Sequence, residues 1–184
     1  MPNTMQTNST KNGLFQFYLH NLVWLGLAVL AIVLDQWTKL IALTKIPHVD
    51  LPCQEDVEKI CAYSDSIQVL PHIFDWTLAY NHGAAFSLLS DAGGWQRYLF
   101  TGLASVVSLL FIFWLMRIPK RLIILPIAVS LILGGAIGNL INRITLGYVI
   151  DFIHIHYEKT WSFPVFNLAD SSITGTVANR DLSR

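Results

Sequence analysis

Charge is what this chain has least of. Asp, Glu, Lys and Arg together make up 13% of its 184 residues, about half of the roughly 25% carried by ordinary soluble domains. That is too little ionised surface to cover a water-facing globule, and hydrophobic residues reach 53%. The 12 basic and 12 acidic residues cancel, so no net field draws the chain to nucleic acid, and no basic cluster with interleaved aromatics suggests that partner. Cysteine is nearly missing. Cys53 and Cys61 are the only two, outside any C-x-x-C ligand pattern, and no H-E-x-x-H zinc signature is present. Nor is there an internal repeat or a low-complexity tract.

What the chain does have is long uncharged runs. A helix needs about 20 mostly apolar residues to cross a hydrocarbon core about 30 Å thick. Tyr98 to Met116 and Leu122 to Asn142 carry no charge, and Leu22 to Leu43 is apolar up to Leu34 before Asp35, Gln36 and Lys39. These windows predict spans over about 22–43, 96–116 and 122–142, within a single integral membrane domain covering 1–184. A weaker fourth window, about 164–178, contains Asp170. Leu22–Leu34 is also long enough for the core of a secretory signal. The preceding segment is barely basic, however, and helical apolar spacing resumes at Leu40, Ile41 and Leu43, which favours a span.

Arg117, Lys120 and Arg121 crowd the loop between the second and third windows. Basic residues at span ends favour the cytoplasm, so the amino terminus is expected inside and the segments of about 45–94 and 145–162 outside. A fourth span returns the chain inward, where Arg180 and Arg184 obey the same rule. The outer 45–94 segment holds Pro47, Pro52 and Pro71, an acidic patch (Glu55, Asp56, Glu58) and two β-like runs, Ser66–Leu70 and Ile73–Tyr80. Their β-branched and aromatic content suggests a small sheet on the membrane. Cys53 and Cys61 fall in the same segment, where a disulfide is permitted; a pair of free thiols is the other reading.

Polar residues inside spans are costly and mark function or pairing. Asp35 and Lys39 are four apart on one helix face, as an ion pair or a support beneath a site. The third window ends with Gly134, Gly135 and Gly138, small enough for a close helix partner, followed by Asn139, Asn142 and Arg143, with Asp151 just beyond. Pro164 suits a helix amino terminus, and Asn167 and Asp170 share a face. The third span runs outward and the fourth inward, so Asp170, about seven residues or roughly 10 Å into the fourth window, meets Asp151 at one height. Two carboxylates forced together share a proton. Such a pair activates a water and protonates a leaving amine, which is aspartyl protease chemistry. An ion or proton pathway, or two unrelated carboxylates facing water, remain open on these grounds. His154 and His156 beside Asp151 raise a metal site, but D-x-x-H-x-H is no standard zinc spacing and the two read better as interfacial residues.

Four ordered blocks carry a family resemblance: LDQWTK at 34–39, NHGAAFSLL at 81–89, GGAIGNLINRITLGYVIDFI at 134–153 and FPVFNLADSSI at 163–173. Over roughly residues 15–175 the chain resembles bacterial lipoprotein signal peptidase, or signal peptidase II. The resemblance implies an all-α membrane protein, a four-transmembrane-helix bundle with a small periplasmic β-cradle, in the bacterial inner membrane with its site facing the periplasm. It implies an aspartyl endopeptidase without metal or other cofactor. The implied substrate is a prolipoprotein bearing a diacylglyceryl group on cysteine, cut just before that cysteine, with membrane lipid as a partner and globomycin as an inhibitor. By motif, Asp151 and Asp170 are the catalytic pair. Asn139, Arg143 and Asn167 line the site, Asn81 and Gly83 belong to the substrate-contacting NHGAAF block, and Asp35 and Lys39 support from the first span.

The chain departs from the family pattern in three places. Asn142 stands where Asp is usual, beside Arg143. After the Asp-Ser motif the chain reads ITGTVANRDLSR, so the fourth span is short and polar. The stretch Pro47–Ser66, with both cysteines, is longer than usual. Asn142 and the short tail motivate a degenerate relative that binds precursors without efficient cleavage; a membrane transporter is the other alternative.

Overall fold

A computed structural model describes residues 4–54, 56–83, 95–158 and 160–178. Helix α1 runs Thr4–Lys45, α2 Trp95–Leu115, α3 Ile124–Thr145 and α4 Leu168–Ala178. The strands are β1 His48–Cys53, β2 Asp56–Ser64, β3 Ile67–Leu70, β4 Phe74–Asn81, β5 Val149–Tyr157 and β6 Trp161–Ser162.

Three helical stretches, Asn21–Lys45, Arg97–Leu115 and Ile124–Thr145, are long and apolar enough to cross a membrane. The 22 residues of α3 extend about 33 Å at 1.5 Å per residue, matching a hydrocarbon core. The outer faces of α1 and α2 expose Val23, Val29, Val33, Leu40, Leu103, Leu109, Leu110 and Phe113. So many large apolar side chains on one surface suit lipid rather than water. Helix α3 is the hub and packs against α1, α2 and α4. Pro126 sits in its first turn, where no intrahelical N–H is forgone. At one end Ala28, Leu115, Ile118, Val129 and Leu133 form a buried cluster. At the other, Ala42 of α1 and Ile46 just beyond it pack on Leu78, Ile150 and Phe152, which fastens the sheet to the helices.

Two glycines set the spacing in the helical layer. A Cβ on Gly135 would come 2.6 Å from the Ala169 carbonyl oxygen, and one on Gly138 2.5 Å from Asp35 Oδ2. Only glycine lets α4 and the Asp35 carboxylate come this near to α3. Helix α3 ends at a left-handed Gly147, φ +90°, whose N–H reaches back to the Asn142 carbonyl at 3.2 Å. Such a residue beyond a helix end is preferentially glycine. Arg97 completes this terminus, donating from Nε to the Arg143 carbonyl and from Nη2 to that of Ile144, at 3.1 and 3.0 Å, where a cation is also favoured by the helix dipole.

β1 and β2 make an antiparallel hairpin joined by a Cys53–Cys61 disulfide. The other four strands form one antiparallel sheet in the order β3-β4-β5-β6. The register of β4 shifts between Trp76 and Ala79, after which Ala79 faces Asp151 and Asn81 faces Val149.

The sequence expectations need two corrections. The label all-α omits six strands. β3 and β4 coincide closely with the two β-like runs, but β1, β2, β5 and β6 were not foreseen. The fourth helix does not begin at Pro164. Residues 164–167 are held extended by a Phe166–Ile153 bridge, with N–O distances of 3.0 and 2.8 Å, and α4 starts at Leu168 because Asn167 caps it. Asp170 is therefore in the first helical turn rather than about seven residues in. The described part of α4 has 11 residues, about 16 Å of helix. Residues 84–89 of the NHGAAFSLL block, and Arg180 and Arg184, lie outside the described residues.

Candidate active site

Each functional side chain has an identifiable local cause. At the start of α4, Asn167 Oδ1 accepts from the Asp170 N–H at 3.0 Å, and Asp170 Oδ2 accepts from the Asn167 N–H at 3.2 Å. This is a reciprocal capping box, which satisfies two N–H groups the helix cannot. It fixes the Asp170 carboxylate at the helix amino terminus. The Phe166–Ile153 bridge lays Asn167 against β5, where its Nδ2 donates to Asp151 Oδ1 at 2.7 Å. Asp151 is buried, 2% exposed, and its other oxygen accepts from Asn81 Nδ2 at 3.2 Å.

Behind the two carboxylates runs a buried polar chain across three helices. Asp35 and Lys39 pair at 2.8 Å. Lys39 Nζ also donates to Asn139 Oδ1 at 2.8 Å, and Asn139 Nδ2 donates to Asp170 Oδ1 at 2.9 Å. Asn139 Oδ1 accepts a second bond from Asn167 at 3.1 Å. Asp35 Oδ1 takes the Ala169 N–H at 3.1 Å, so a carboxylate meets the positive end of the α4 dipole. An ammonium at 2% exposure is tolerable only because its donors find oxygens.

On the other side, Arg143 Nη2 donates to the Gly83 carbonyl at 3.1 Å, and the Gly83 N–H donates to Asn81 Oδ1 at 3.0 Å. Arg143 thus holds the turn that presents Asn81 to Asp151. It does not use Asn142. That side chain is buried and donates to Gln36 Oε1 at 3.4 Å, while Gln36 donates to Asp35 Oδ2 and to the Gly138 carbonyl, each at 3.0 Å.

Asp151, Asp170, Asn81, Asn139 and Arg143 open onto one cavity of about 540 Å³. Its remaining wall is largely apolar, with Val149, Ile155, Trp161, Phe163, Val165, Phe166 and Ile173. Asp35, Lys39 and Asn167 stand behind that lining. Burial and the nearby Asp170 carboxylate push the Asp151 carboxyl up to about 7, against the opposing hydrogen bonds from Asn81 and Asn167. A carboxyl poised near neutrality accepts and returns a proton with little loss of driving force. Sequence reasoning missed the apolar wall and Gln36. Alternation along β5, where Asp151 and Ile155 share a face, is the signal that points to part of that wall.

Comparison with known proteins now decides the family. The profile described as signal peptidase (SPase) II matches residues 27–179. The chain belongs to the signal peptidase II family. Among its relatives, the lipoprotein signal peptidase of Acinetobacter baumannii is 60% identical over 174 residues, covering 94% of this chain and 89% of the relative. That of Acinetobacter baylyi is 61% identical over 168 residues, covering 91% and 84%. The Pseudomonas aeruginosa protein is 46% identical over 153 residues, covering 83% and 82%. Two bacterial membrane enzyme structures, obtained by the in meso method at 2.3 and 1.9 Å resolution, share the fold. Their TM-scores are 0.66 and 0.65, at 27% and 28% identity, with 88% of this chain covered in each case. This family member is a multi-pass membrane protein and a membrane aspartic protease.

Proposed function

We propose that this signal peptidase II family member removes the signal peptide from diacylglyceryl-modified prolipoproteins, cutting just before the lipidated cysteine, with Asp151 and Asp170 as the catalytic pair. The observation that carries this reading is that both carboxylates open onto one cavity and are tied to each other through Asn167 and Asn139. The names borne by the relatives point to the same substrate.

In this reading a water lies between the two carboxyls. The ionised member takes a proton from the water as its oxygen attacks the scissile carbonyl, while the protonated member donates to the carbonyl oxygen; the first then passes its new proton to the leaving amine as the C–N bond breaks, and the second takes one back from a hydroxyl of the tetrahedral intermediate. Asn81 and Asn139 hold the carboxylates, and Arg143 orients the peptide through the turn at Gly83. Positioning of this kind supplies several kcal/mol of barrier reduction. The apolar wall from Ile155 to Ile173 accepts acyl chains of the lipidated cysteine. The active site then faces the periplasm from the inner membrane, with Arg117, Lys120 and Arg121 in the cytoplasm. Helix α4 acts as the fourth element of the bundle, and the two sheets act as the cradle that holds the peptide.

The degenerate-relative alternative rested on Asn142 and the short tail. Arg143 does not depend on Asn142, and the polar chain from Asp35 to Asp151 is complete, which favours activity. Purified protein given a lipidated precursor turns it over, and globomycin blocks the turnover. Binding of precursor without cleavage contradicts this reading, as does ion flux in proteoliposomes that survives loss of both aspartates.

A further inference from the structure

Strand side chains alternate between faces. Asp151 and Ile155 face the cavity, so His154 and His156 occupy the opposite face of β5. The register sets Asp75 of β4 directly across from His154, on that same face. One ligand atom from each of Asp75, His154 and His156 lies within 4.8 Å of the others. We propose that Asp75, His154 and His156 bind a divalent transition-metal ion of the zinc class, behind the strand that carries Asp151.

Three observations support the site. The donor set is two imidazoles and one carboxylate, which suits zinc-class ions and leaves a fourth position for water or the Ser162 hydroxyl. That hydroxyl already lies 2.8 Å from His154 Nε2. Second, His156 Nε2 stands 3.0 Å from Asp75 Oδ2, while His156 Nδ1 faces the Glu158 carbonyl at 3.4 Å. One imidazole nitrogen and the carboxylate oxygen thus already converge on one point, where an ion takes the place of a shared proton, and the Glu158 carbonyl stands behind the ring as an outer support for an Nε2 ligand. Third, Asp75 is buried, 8% exposed, and its Oδ1 finds no hydrogen-bond donor among the described residues. A buried carboxylate oxygen left in this way is costly unless a cation serves it. Metal bonds of about 2.0–2.2 Å place ligand atoms roughly 3.3–3.5 Å apart, reached here by small side-chain rotations. The bound ion ties β4 to β5 on the face turned away from the cavity.

The test uses the full chain, purified in detergent with a tag free of histidine, stripped with chelator and titrated calorimetrically with Zn²⁺. One ion binds per chain, and His154→Gln and His156→Gln each weaken binding at least about tenfold, while cleavage of a lipidated precursor is unchanged. Affinity equal in wild type and both variants means an adventitious ion only and overturns the proposal. Absence of saturable binding also overturns it and leaves a proton as the cation between His156 and Asp75. Should the variants fold poorly, Co²⁺ added to the wild-type protein decides. Strong visible bands of a four- or five-coordinate ion, displaced by Zn²⁺, support the site; the weak spectrum of the hydrated ion contradicts it.

Discussion

Asn167 touches both acidic residues of the site: its Nδ2 donates to Asp151 Oδ1 at 2.7 Å, and its backbone N–H donates to Asp170 Oδ2 at 3.2 Å. A single residue that caps a helix therefore also sets the spacing of the two carboxylates. Removing its side chain takes away the cap, worth about 1 kcal/mol, and the donor to Asp151. Asn167→Ala lowers kcat about 10²-fold, the scale of a 1 Å misplacement, with a smaller change in KM. A Michaelis series on a lipidated peptide checks this; a change confined to KM contradicts it.

The raised Asp151 carboxyl gives a pH signature. An acid whose folded pKa lies above its unfolded value binds its proton more tightly when folded. Its contribution to stability is therefore intact below about pH 4 and is lost as pH rises toward 7. With an unfolded value near 3.9 and a folded value of about 7, that loss is on the order of 4 kcal/mol. Asp151→Asn carries no such penalty. Thermal melts in detergent show the variant more stable than wild type at pH 8, with the difference shrinking toward pH 4. Cleavage by wild type declines above about pH 7, as the shared proton leaves.

Gly138 separates a packing role from a chemical one. Its substitution by Ala places a methyl 2.5 Å from Asp35 Oδ2, whereas Gly102 has nothing within 4 Å of an added Cβ. Gly138→Ala costs about 1–3 kcal/mol and reduces cleavage through the Asp35–Lys39–Asn139 chain. Gly102→Ala leaves cleavage unchanged and is neutral or slightly stabilising in melts.

Asn142 tests whether the chain is degenerate. Because Arg143 bonds to Gly83 rather than to Asn142, Asn142→Asp changes cleavage by less than about threefold. Burying the new carboxylate beside Gln36 costs about 1–3 kcal/mol. A gain of tenfold or more in turnover means instead that the natural residue impairs the site.

How much of this was legible without coordinates varies by feature. The helices were, because Tyr98–Met116 and Leu122–Asn142 are uncharged runs long enough to cross lipid, and α2 and α3 begin and end within a few residues of them. β5 was not, because VIDFIHIHY alternates apolar and polar residues only from Ile153 onward. Asp151 and Asp170 stood out because carboxylates near lipid need a reason. Asn167 is legible as a neighbour of Asp170 and Asn139 as a polar residue at the end of the third window, but the partners of neither are readable. The Lys39–Asn139 and Asn167–Asp151 contacts join residues 100 and 16 positions apart, which no local spacing encodes. Asp75 was missed entirely because its link to His154 is a strand register.

The most direct test is cleavage of a diacylglyceryl-modified precursor by purified wild type, Asp151→Asn and Asp170→Asn, each confirmed to be inserted and folded. Loss of turnover in both variants, with precursor binding retained, is the predicted result. Turnover near the wild-type rate in either variant contradicts a paired-carboxylate mechanism.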